Sequence, residues 1–101
     1  MLIYKYIPDS PATAGGVWAG SSDYISGALC HQVWVEFATS TTIFDFVITD
    51  EDGLEIRKFT DEQGSLNDLT PFPVRGVLGL SVANASKNEA FNLLLVFKEE
   101  S

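Results

Sequence analysis

The sequence predicts an all-β fold, an antiparallel β-sandwich or jelly roll with an extended N-terminal arm, and three observations carry this. Apolar residues recur with a period of two in short runs. The runs return at intervals of about ten residues, and Asp, Asn, Gly and Pro fill the gaps between them. No stretch carries the periodicity of an amphipathic helix.

In chain order, LIYKYI reads as a short strand. The segment PDSPATAGGVWAGSSDYISGAL that follows is rich in Gly, Ala, Ser and Pro and has no sustained period. Residues 1–30 are therefore expected to form a strand and an arm, and residues 31–101 the sandwich body of a single domain. Long loops inside compact domains are usually functional or mobile. Trp18 and Tyr24 would be wasted on a solvated linker, so they are expected to anchor the arm on a partner. In HQVWVEF, Val33, Val35 and Phe37 share one face and Gln32, Trp34 and Glu36 the other. Trp34 is then either exposed on the sheet or covered, and the Ala/Gly-rich arm supplies a cover.

TIFDFVITD sets Phe44, Phe46 and Ile48 inward. LEIRKF continues the alternation after Asp50–Gly53, where Asp52 and Gly53 tolerate positive φ, so the two runs form a hairpin. The segment Asp61–Gly76 contains Pro71 and Pro73, which lack backbone donors, and reads as a long crossover between sheets. VLGLSVAN places Leu78, Leu80 and Val82 together, and NASKNEA is a polar turn. In AFNLLLVFKEE, Phe91, Leu93, Leu95 and Phe97 share one face while Leu94 and Val96 make the other apolar as well. This strand is expected to be covered on both sides, as a central strand or at a subunit contact. A simple alternating strand series puts the turns Asp50–Gly53 and Asn84–Glu89 at one end of the molecule. Thr39–Thr42 and Asp61–Gly76 then lie at the other.

Composition bounds the function. With 101 residues, 46% hydrophobic and 20% charged, the chain suits one packed core. No apolar run approaches the roughly 18 residues that span a bilayer, and MLIYKYIPDS lacks a basic region before an apolar core, so a soluble chain without secretory signal is expected. A formal charge of −8 repels phosphate backbones and anionic lipid, which argues against nucleic acid and membrane as partners. The single cysteine, Cys30, excludes an internal disulfide and fits an intracellular origin.

Catalytic patterns are weak. Cys30 and His31 are neighbours, and neighbours on a strand point to opposite faces, so a thiolate–imidazole pair is not formed. There is no Gly-x-Ser-x-Gly elbow, and no enzyme is expected. TDEDG fails as an EF-hand because Ile48 stands where the first ligand belongs. A looser calcium site from Asp50, Asp52 and Glu89 is the alternative to a solvated acidic turn, which is preferred because Asp and Gly are what such turns need. Zinc lacks ligands, and AGGVWAG lacks a phosphate-loop lysine, so no cofactor is expected. Trp18, Tyr24 and Trp34 are candidate aromatic platforms for carbohydrate, or candidate interface anchors.

From Val33 to Phe97, about two thirds of the chain, the order of elements resembles small β-sandwich cement or decoration proteins of tailed bacteriophages. QVWVEF, FDFVITDEDGLEI, GSLNDLTPFPVRGVLGLSVANAS and FNLLLVF carry the likeness. The resemblance implies a non-enzymatic virion protein on the outer surface of a phage head, made in the host cytoplasm. It would bind the major capsid protein and its own copies, as a dimer or trimer. A tail or head-to-tail accessory protein, or a carbohydrate-binding β-sandwich module, is the alternative. No binding residues are carried over, because no site motif is shared.

Overall fold

The computed structural model describes residues 3–99. Its strands are β1 (Ile3–Tyr6), β2 (Trp18–Phe37), β3 (Ile43–Thr49), β4 (Glu55–Gln63), β5 (Ser65–Asp68), β6 (Phe72–Ala83) and β7 (Phe91–Glu99). All pairings are antiparallel, and the strands run β1-β7-β2-β6-β3-β4, with β5 beside β2. The all-β sandwich expected from the period-two runs is what forms.

β2 organises it. Its first part, Trp18–Cys30, pairs with β6, and its second, Ala28–Phe37, pairs with β7, so one strand belongs to two leaves. The first leaf is β1-β7-β2-β5 and the second is β2-β6-β3-β4. Register shifts at Ser21/Tyr24, Ile25/Ala28 and Cys30/Gln32 supply the twist that lets so long a strand pass between them. Between the leaves lies one core, in which Phe44, Phe46, Ile48, Leu78, Leu80, Val33, Leu93 and Leu95 are fully buried. Phe37 joins the leaves, its ring centroid 4.7 Å from that of Phe44 and 4.9 Å from that of Phe91.

The boundary expected at residue 30 falls inside β2. The unperiodic arm is half strand: bulges break the period of two between Ser21 and Cys30, so alternation is lost while pairing continues. Residues 8–17 do form a loop, but a tethered one. Phe91 N–H donates to Pro11 O (3.1 Å), Thr13 N–H to Glu89 O (3.0 Å), and Gly16 N–H to Asn88 Oδ1 (2.8 Å).

The expected Asp61–Gly76 crossover is mostly paired as well, as the end of β4, all of β5 and the start of β6. Pro73 is tolerated because β6 pairs with β3 only over Gly79–Ala83, so at Pro73 one edge of β6 is open. Gly64 makes the corner from β4 to β5. It has φ 74°, its N–H donates to Thr42 O (2.7 Å), and its carbonyl accepts from Phe37 N–H (2.9 Å).

The Asp50–Gly53 hairpin forms as read, with Gly53 at φ 82°. Asp50 Oδ1 accepts from the amides of Asp52 and Leu54, both at 2.9 Å. The expected grouping of turns does not hold. Glu89 accepts from Thr39 Oγ1 (2.8 Å) and Thr42 Oγ1 (2.5 Å), so the Asn84–Glu89 turn sits beside Thr39–Thr42, a full β3 length away from Asp50.

Candidate interaction surface

Alternation fixes which side chains leave the core. On the first leaf, Tyr4, Tyr6, Val33, Val35, Leu93, Leu95 and Phe97 turn inward. The register then lays the outward residues in rows across the strands. Ile3, Lys98 and Leu29 form one row, and Lys5, Val96 and Gln32 the next. Leu94 and Trp34 follow, then Asn92 and Glu36. Ile7 continues the β1 register toward Leu94 and lines a groove with Leu94 and Trp34.

This face is apolar around Ile7, Leu94 and Trp34, carries Lys5, Lys98 and Glu36 as well, and has no covering layer among the described residues. Ile3 and Ile7 are 63% and 66% exposed, while Leu29, Trp34, Leu94 and Val96 are half-buried. β7 is central, paired to β1 and β2, but the second covering layer expected over Leu94 and Val96 is absent among the described residues. Apolar side chains grouped in this way on a water-facing sheet make the face the candidate interaction surface. The outward residues of the second leaf are more polar, including Ser21, Asp45, Thr49, Lys58 and Ser81.

The three aromatic residues singled out in sequence are placed differently. Trp34 stands in the middle of the apolar face. Its expected cover, the Ala/Gly-rich stretch, is instead tied to the Ala85–Asn88 turn, through Ala85 N–H to Gly16 O (3.0 Å) and Gly16 N–H to Asn88 Oδ1. The segment Ile7–Pro11 flanks Trp34 and forms the far wall of the groove. Trp18 is turned inward. Its ring meets Phe91 edge-on at 5.3 Å and lies across Gly20, where a Cβ would come within 2.7 Å of it. It is therefore a core-flanking residue and not an arm anchor. Tyr24, 67% exposed and beside Val77, projects from the second leaf. The three thus lie in separate places, Trp34 and Tyr24 on opposite leaves and Trp18 against the core. Position in an alternating run gives the signal for Trp34, whereas Trp18 stands among Ala, Gly and Ser, which carry no apolar alternation.

The acidic candidates are not brought together. Asp50 and Asp52 border an open cleft with Glu51, Glu99 and Arg75, whereas Glu89 lies at the other end with Thr39 and Thr42. Among the described residues no three His, Cys, Asp or Glu side chains are grouped as a metal site. The carboxylate of Glu89 is held below the usual glutamate range by the Thr42 and Thr39 hydroxyls.

Cys30 is fully buried, its Sγ donates to Gln32 O (3.5 Å), and burial pushes its thiol up to about 11. His31 occupies the Cys30/Gln32 irregularity, with its Nε2 enclosed and unpartnered. The two do not form a dyad.

No family model matches the chain, and no curated protein matches it. Among solved structures it is similar to a chain in one described as "Structure of infectious bursal disease virus Gt strain", with a TM-score of 0.40 and 10% identity. The likeness covers 95% of this chain and 31% of that one, so the present chain spans about a third of that chain's length.

Proposed function

We propose that this chain is a non-enzymatic virion structural protein of the cement or decoration type, which binds the outer surface of a phage head. The observation that carries the reading is the uncovered apolar face of β1-β7-β2, centred on Leu94 and Trp34. An isolated monomer has no reason to keep such a face in water, whereas a component of a larger assembly buries it on binding. The resemblance of the Val33–Phe97 element order to tailed-phage cement proteins adds the kind of assembly. Binding only to the assembled shell stabilises that shell by mass action, and an acidic accessory protein suits a place outside it, away from packaged nucleic acid. The major capsid protein and further copies of the chain are the proposed partners. A head-to-tail or tail position would use the same face.

Sedimentation of a native extract tests this: the 11.0 kDa chain is expected to travel with particles of megadalton size. Recovery only near the top of the gradient would refute the reading. The groove beside Trp34 supports a second reading, a carbohydrate-binding module with Trp34 as platform. It predicts saturable quenching of tryptophan fluorescence by a glycan, and a flat response across a glycan panel would dismiss it.

A further inference from the structure

We infer that the partner on the apolar face is a second copy of this chain, seated about a two-fold axis that passes through Leu94. This names the occupant of the docking face proposed above and rests on that reading.

The face is self-complementary in register. Lys5 lies opposite Val96 on the β1 side of β7, and Glu36 lies opposite Asn92 on the β2 side. Val96 and Asn92 are each two residues from Leu94, in opposite directions along β7, so Leu94 is the midpoint between Lys5 and Glu36. A two-fold axis in the plane of the face, through Leu94 and at right angles to the Lys5–Glu36 diagonal, sets each Lys5 over the other copy's Glu36. It also stacks Leu94 on Leu94, with Ile7 and Trp34 beside them. With strands about 4.8 Å apart and a rise of about 3.4 Å per residue, the strands of the two copies cross at roughly 70°, closer to orthogonal than to aligned sheet packing. This is the isologous arrangement that two-fold dimers require.

Charge favours the same occupant. Among the described residues the face carries Lys5, Lys98 and Glu36 as its charged side chains, although the chain as a whole is at −8. The rest of the chain therefore carries the whole of the negative excess, and a second copy meets less repulsion on this face than on the average of the remaining surface. In projection the face measures on the order of 500 Å² per copy, below the ~800 Å² per partner of a standard stable interface. The dimer is therefore reversible, and salt strengthens it by screening the repulsion between the two acidic bodies.

Sedimentation equilibrium of the purified chain over a range of concentrations, at low and high salt, tests the proposal. The mass is expected to rise from that of a monomer to twice it, and at lower concentration in high salt. Leu94→Lys, with Val96→Lys as a second outward variant should the first fail to fold by circular dichroism, is expected to leave only monomer. Lys5→Glu is expected to weaken the dimer about tenfold through two like-charge contacts, and Lys5→Glu combined with Glu36→Lys to restore it. A chain that stays monomeric at every concentration overturns the proposal, as does a dimer indifferent to both lysine variants or a double variant that does not recover. Co-sedimentation with particles by a chain that is monomeric alone would assign the face to the shell protein instead, leaving the docking role standing. A dimer that never joins a particle would retain the two-fold contact and refute the docking role.

Discussion

At the scale of single residues, the most constrained positions are corners and buried polar contacts. Gly64 holds φ 74°, and a Cβ there would lie 2.4 Å from Ser40 O. Gly64→Ala combines backbone strain with a backbone clash, and is expected to lower unfolding free energy by about 3 kcal/mol or more in chemical denaturation. Glu89 ties Thr39 to Thr42, and its lowered carboxyl pKa gives the sign of a pH effect. Its contribution to stability is complete above the ordinary glutamate value of 4.5 and is lost as pH falls through the depressed folded value. Thermal unfolding of the native chain and Glu89→Gln should therefore differ at neutral pH and converge in acid. Cys30, buried and with its thiol pushed up to about 11, is expected to ignore an aromatic disulfide reagent until the chain is unfolded. Rapid labelling of the native protein would show that β2 opens at its centre.

At the scale of elements, what was legible depended on whether alternation survived. Val33–Phe37, Phe44–Ile48, Leu78–Val82 and Phe91–Phe97 kept a strict period of two and were read with the right faces. So was the Asp50–Gly53 turn, because its residues perform the local hydrogen bonding themselves. Residues 18–30 are not legible, since two register shifts scramble the period there. The partners of Glu89 come from positions 39 and 42, a long-range fact that no local spacing announces. Of the candidate surface, alternation places Trp34 opposite Val33 and Val35 and marks Leu94 and Val96 as an apolar outward pair. The row that joins them to Ile7 and Lys5 needed the pairing of β1 with β7. Trp18 gives the element-scale test. Its ring spans the start of β2 and Phe91 at the start of β7, so Trp18→Ala is expected to destabilise the isolated fold by about 2 kcal/mol, less than for a fully enclosed ring. An unfolding curve unchanged from that of the native chain would return Trp18 to the role of a surface anchor.

At the scale of the whole molecule, the sheet edges and the two outer faces differ in character. β4 presents Glu55, Arg57, Lys58, Asp61 and Glu62, charges that discourage edge-to-edge pairing. The face built on β1, β7 and β2 is instead apolar, and the association inferred for it belongs to this scale because no single strand holds it. That assignment has a consequence during synthesis. β1 precedes β7, its strand partner among the described residues, by all five other strands, so the rows carrying Lys5, Leu94 and Glu36 do not exist until β7 has been translated. A chain whose translation has not yet passed β7 thus lacks the surface on which the inferred two-fold contact depends.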